Sequence, residues 1–231
     1  MNPPHERVLS VNDGQHGKRE VFTETDFVTQ APMKSSETAL LLIGFQHDYF
    51  ATNGILRSVI EDSAKTADVI ENTVRVLKQL EPSDVLMLQT PILFSDDYAE
   101  INNPIGLLKA IAEFRAFRPG QRGSQVIPQV QAFGSRIDVV QGKDGFNAFS
   151  IEGLGAVLKD NGIKNLVLAG AITSINIDST GRSAHENGYD VTVLSDCTCG
   201  RTDFEQEFYC QQILPLYAHV LTGDQLLARL K

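Results

Sequence analysis

The feature that most constrains this chain is a set of short apolar runs that are continuous rather than alternating, at residues 39–45, 84–89, 136–140, 165–169, 190–194 and 218–221. A strand with one solvated face alternates apolar and polar residues, whereas a strand covered on both faces reads as an unbroken apolar run. Helix-like stretches lie between these runs, at 61–80, 105–114, 151–159, 175–187 and 203–212. Asn161-Gly162 and Asn187-Gly188 supply helix stop signals where two of those stretches end. Strand–helix alternation implies right-handed crossovers. The expected fold class is therefore α/β, a mostly parallel six-stranded sheet between two helical layers.

Residues 1–36 are polar and irregular, with Pro3-Pro4, Asn12-Asp13-Gly14 and Pro32, and read as an N-terminal arm. Residues 37–231 read as the three-layer α/β/α domain. The longest apolar run has seven residues, far short of the roughly 20 that a membrane helix needs. The first 20 residues hold no apolar core of a secretory leader. Twenty Lys+Arg against 29 Asp+Glu leave a net charge of −9, which argues against nucleic acid or an anionic membrane as the main partner. The expectation is a cytoplasmic protein with a small-molecule ligand or substrate. Cys197, Cys199 and Cys210 lack zinc-type spacing and read as structural thiols.

Ligands of parallel sheets bind beyond the carboxyl ends of the strands, so three segments carry the candidate chemistry. The first is Leu41-Leu42-Ile43-Gly44-Phe45-Gln46-His47-Asp48-Tyr49-Phe50. The second is Val139-Val140-Gln141-Gly142-Lys143-Asp144-Gly145-Phe146-Asn147-Ala148-Phe149. The third is Leu168-Ala169-Gly170-Ala171-Ile172-Thr173-Ser174-Ile175-Asn176-Ile177-Asp178-Ser179-Thr180, continued by Gly181-Arg182-Ser183-Ala184 and Gly188-Tyr189.

In this order the motifs resemble the isochorismatase-like cysteine hydrolase superfamily, over about residues 38–222. The resemblance implies a Rossmann-like, flavodoxin-like sheet and a homo-oligomer. In hydrolytic members it also implies an Asp–Lys–Cys triad. Carried over one position at a time, the Lys falls on Lys143, the acid/base position on Gly44 and the nucleophile position on Asn176. No His lies between His47 and His185, so the metal group of nicotinamidases is absent, and neither metal nor cofactor is expected.

Those departures set the functional expectation. A thiolate nucleophile needs a cysteine at a helix N-terminus and a base to take its proton. Asn176 cannot become a thiolate, and Gly44 accepts no proton. What remains is a helix start near Ser174, the cation of Lys143, and an Asn176 amide able to donate and accept. That combination suits a small amide, ureido or carboxylate compound. Gln46, Asp48, Phe149, Ile172 and Thr173 are the accompanying candidate ligand-binding residues, with Asp48 also read as a structural hydrogen-bonding group. The resemblance further implies a cis peptide near Thr173, placed here at Ile172–Thr173. The alternative is a hydrolase that uses Lys143 with a non-standard acid or base, Asp48 or Asp144. The aromatic and Arg residues of 114–119, with Phe208-Tyr209, are the candidate interface anchors.

Overall fold

The run around Leu41 forms a central strand of a parallel sheet because none of its side chains can be left in water. The computed structural model describes residues 9–12, 18–22, 32–60, 66–140, 145–150 and 153–231. It divides into two units, Met1–Pro32 and Met33–Lys231. In the first, β1 (Leu9–Asn12) and β2 (Lys18–Phe22) pair antiparallel, with Leu9 opposite Phe22 and Asn12 opposite Lys18.

The second unit holds β3 (Thr38–Ile43), β4 (Leu86–Thr90), β5 (Asp138–Val139), β6 (Asn165–Ala171), β7 (Asp190–Cys199) and β8 (His219–Leu221). They form a six-stranded sheet in the order β5-β4-β3-β6-β7-β8, and every pairing is parallel. The helices are α1 (His47–Phe50), α2 (Thr66–Leu80), α3 (Gly106–Glu113), α4 (Pro128–Gln131), α5 (Leu154–Asp160), α6 (Asp178–Glu186), α7 (Asp203–Phe208) and α8 (Gly223–Arg229). No helix among the described residues is long and apolar enough to cross a membrane.

Alternate residues of the inner strands feed two cores. Leu40, Leu42, Val167 and Ala169 meet Val69, Val76, Leu77 and Leu80 of α2 and Leu226 of α8. Ala39, Leu41, Ile43, Leu166 and Leu168 meet Leu154 and Leu158 of α5 and Ala184 of α6. Both sheet faces are covered, which is why β3 is buried at every position. α8 is held at its start by a capping box, in which Thr222 Oγ1 accepts from Gln225 N and Gln225 Oε1 accepts from Thr222 N.

The strand order places the site. The chain walks outward from β3 through β4 to β5, then returns to lay β6 on the other side of β3. That reversal is a topological switch point, and in open α/β sheets ligands bind beyond the carboxyl ends of the strands at such points. The two strands come unusually close there. Gly170 has φ +127°, and a Cβ on it would run into the carbonyl oxygen of Ile43, so only glycine fits.

Candidate functional site

Two chain segments leave the switch point, one at Gly44 and one at Ile172. Gly44 has φ +72°, and a Cβ built on it would lie 2.7 Å from Ala171 O and 3.5 Å from Tyr49 Cδ2. The position read as the acid/base therefore sits against a backbone carbonyl and the edge of a buried ring. At the end of β6 the Ala171–Ile172 peptide is cis, one residue earlier than the Ile172–Thr173 bond expected from the sequence.

After it, Thr173–Ile177 forms a π-helical turn that leads into α6. The Ile172 carbonyl gathers the N–H groups of Ile175, Asn176 and Ile177, at 3.1, 2.8 and 3.2 Å. This wide turn aims Asn176 inward, where it is 1% exposed. Its Nδ2 donates to Ala171 O at 2.9 Å. Its amide also shares a hydrogen bond with the Tyr49 hydroxyl. Burial holds the Tyr49 phenol well above its ordinary ionisation range, so at neutral pH it is a neutral hydroxyl. Gly44, Tyr49, Ala171 and Asn176 thus meet at one point, without a charge among them.

The other candidate positions are placed as follows. Gln46 is fully buried and works as a clamp. Its Nε2 donates to Ile92 O and Ser124 O, both at 2.8 Å, and its Oε1 accepts from Ile92 N at 2.8 Å. Asp48 Oδ2 accepts from Phe117 N at 2.7 Å, and burial raises its carboxyl above the usual range despite the Phe117 and Ile55 N–H groups that favour the charge. Ile172 and Thr173 are fully buried. Phe149 faces Tyr189, ring centroids 6.0 Å apart. Together with Ile163, Lys164 and Asn187 they line a depression at the amino ends of β6 and β7. Lys143 and Asp144 lie outside the described residues.

Two residues that the sequence reading missed organise the start of the turn. Thr173 Oγ1 donates to Gln206 Oε1 at 2.6 Å, and Gln206 Nε2 donates to Ser195 O and Thr198 Oγ1 at 3.1 and 3.0 Å. Ser174 Oγ donates to Glu205 Oε1 at 2.5 Å, while Arg201 Nε donates to Glu205 Oε2 at 2.6 Å. The available signal was the N-cap pattern Thr202…Glu205, which fixes α7 with Thr202 Oγ1 accepting from Glu205 N at 3.1 Å. A third, Tyr49, stands in the first of the three segments and was not singled out there.

Cys197 and Cys210 offer no substitute nucleophile. Burial, reinforced by Asp196, pushes Cys197 up to about 12, and burial alone pushes Cys210 up to about 12. Both are protonated at neutral pH, and the thiolate is the reactive form.

A parallel sheet with a topological switch point and a wide turn after β6 defines a class of α/β protein, and comparison with known proteins places the chain within it. Residues 38–225 match the Isochorismatase domain family, and the chain belongs to that family. The isochorismatase family protein YddQ of Bacillus subtilis (strain 168) is 29% identical over 170 residues, covering 74% of this chain and 81% of YddQ. The ureidoacrylate amidohydrolase RutB of Pseudomonas savastanoi pv. phaseolicola is 25% identical over 183 residues, 72% of each chain. The crystal structure of a cysteine hydrolase from Pseudomonas syringae pv. phaseolicola 1448A superimposes with a TM-score of 0.74, over 87% of this chain and 95% of that one, at 18% identity. It shares the fold.

Proposed function

We propose that this chain is a non-hydrolytic member of the isochorismatase family that binds a small amide, ureido or carboxylate ligand at the carboxyl ends of β3 and β6. The observation that supports it most is the buried Asn176 amide, bonded to Ala171 O where the resemblance puts a nucleophile. A neutral amide recognises a polar ligand through one donor and one acceptor, but it forms no acyl intermediate. Gly44 adds no base. In this reading Lys143 supplies the cation that meets a ligand carboxylate, and the amidohydrolase name of the RutB relative points toward the ureido class. The reading includes a homo-oligomer. Phe204 and Phe208 on α7 are 78% and 43% exposed, and their rings stack 6.1 Å apart. Exposed aromatic pairs of this kind are enriched at interfaces.

The competing reading is hydrolysis through Lys143 with Asp48 or Asp144, and the amidohydrolase relatives favour it. Against it, the Asp48 carboxylate is already engaged by the Phe117 and Ile55 N–H groups. Calorimetry and ammonia release, run side by side on a panel of ureido acids and amides, separate the two. Saturable heat without ammonia is expected. Ammonia release that disappears in Lys143→Ala would replace this reading with the hydrolytic one.

A further inference from the structure

At the end of the sheet opposite Asn176 lies a depression of about 570 Å³, between α5 and the last turn of α6. Small-molecule sites span roughly 300–1,000 Å³. β6 runs seven residues from one end of the sheet to the other, which separates the two places by about 23 Å. Phe149 and Tyr189 form one wall of the depression, with ring centroids 6.0 Å apart and planes tilted by 32°. Both rings pack against the core that Leu154 and Leu158 feed, and both stay half-buried.

The opposite wall is α5, and Gly155 is its informative position. Its φ is not positive, and a Cβ built on it would meet nothing within 4 Å. Neither backbone conformation nor packing calls for glycine there, and glycine in a helix costs about 1 kcal/mol relative to alanine. The missing side chain leaves the depression open beside Lys159, one turn further along the same helix face. Both helices end in Schellman turns that occupy their own carbonyls. Leu158 O accepts from Ile163 N and Lys159 O from Gly162 N, while Ala184 O accepts from Tyr189 N and His185 O from Gly188 N. The Lys164 ammonium is held by Glu37 Oε1 at 3.1 Å. Among the described residues no acidic group pairs with Lys159, so its ammonium is the uncommitted charge lining the depression.

We propose that this depression is a second binding site, for a small aromatic carboxylate whose ring lies on Phe149 and Tyr189 and whose carboxylate meets Lys159. An aromatic ring gains from offset or edge contacts with two fixed rings, and a carboxylate gains a charge-assisted hydrogen bond from an ammonium. The site is independent of the ligand-binding reading at Asn176.

The test is NMR titration of the full chain with benzoate, with benzamide and cyclohexanecarboxylate as controls lacking the charge and the aromatic ring. Benzoate should shift the Gly155, Lys159 and Tyr189 signals and leave Asn176 still, and each control should bind more weakly. Lys159→Gln, at an exposed side chain, should weaken benzoate by about three- to fivefold and leave benzamide unchanged. Gly155→Leu fills the depression. It should abolish the benzoate shifts while the melting temperature holds or rises, which separates a lost site from a damaged fold. Benzoate shifts confined to Asn176 and its neighbours would place the carboxylate at the switch point and overturn the second site. Equally, no shift at the highest soluble benzoate concentration, or an affinity that neither variant changes, would overturn it. Should Gly155→Leu fail to fold, Lys159→Gln decides the matter alone.

Discussion

Asn176 Nδ2 lies 2.9 Å from Ala171 O, the same carbonyl oxygen that a side chain on Gly44 would meet at 2.7 Å. One backbone oxygen thus couples the two altered positions. It gives the amide at 176 its partner, and it crowds any side chain at 44. The identities of the two residues are physically linked, and changes at either have consequences at the other.

Restoring the expected reagents should therefore be costly. Gly44→Asp puts a side chain at φ +72° against that oxygen and should destabilise the protein by about 1–3 kcal/mol. Asn176→Cys removes the donor from Ala171 O and should cost about 1–3 kcal/mol for the buried group left unpaired. Each single variant should release little ammonia from a ureido acid. The double variant should exceed the sum of the two, because nucleophile and base act as a unit. Urea denaturation and ammonia release measure the two effects.

Much of the fold is legible in the sequence. The runs that became β3 and β6 read correctly because burial on both faces leaves few polar residues to blur them, and β8 was found although it is a half-buried edge strand that holds His219. The apolar run predicts that β7 ends at Leu194, yet it continues to Cys199, since Ser195, Asp196 and Thr198 interrupt the apolar pattern while pairing with β6 resumes at Thr198 and Cys199. A register shift after Leu168 lets Gly170 pair with Thr198. β5 shrinks to two residues at the sheet edge, where Val139 is 63% exposed.

The contacts around the candidate positions were not legible in the sequence. Asn176 and Gly44 stand where the motifs put them along the chain, at the ends of adjacent strands. Their link through Ala171 O depends on a backbone path that no residue spacing encodes. Phe117, counted among candidate interface anchors, is fully buried against Tyr49. Its left-handed backbone turns the ring inward, and nothing in Phe114-Arg115-Ala116-Phe117 announces that. Gln46 looked like a ligand contact because its partners, Ile92 and Ser124, are 46 and 78 residues away in sequence.

Gly170→Ala should be among the most damaging small substitutions in the protein. Its Cβ would enter the Ile43 carbonyl at φ +127°, forcing β3 and β6 apart at the switch point. A loss of at least about 2 kcal/mol is expected from the strain alone, read by thermal unfolding.

Gln206→Leu should act on both the turn and β7. It removes the acceptor of Thr173 Oγ1 and the donor to Ser195 O and Thr198 Oγ1. A cost of about 2 kcal/mol follows from leaving those groups unpaired. Hydrogen exchange should quicken at residues 173–177 more than at the centre of β3.

Asp48 gives a pH signature with a definite sign. Burial raises its carboxyl above the ordinary 3.8, so the folded state holds the proton more tightly than the unfolded chain does. Its stabilising contribution is full below that ordinary value and is lost as pH rises through the raised one. Relative to Asp48→Asn, the wild type should be more stable in acid than at neutral pH. Paired denaturation curves across that range should show the difference narrowing or reversing as pH rises. A difference that grows in favour of the wild type would contradict the burial argument.

The central claim is that position 176 supplies no attacking group, because an amide occupies it, and that Cys197 and Cys210 are held protonated. Intact-mass spectrometry after incubation with an activated ureido ester tests it most directly. The account predicts an unchanged protein mass over the time in which a family hydrolase is acylated. An acyl adduct mapped to Cys197, Cys199 or Cys210 would contradict it and move the nucleophile to β7 or the segment that follows it.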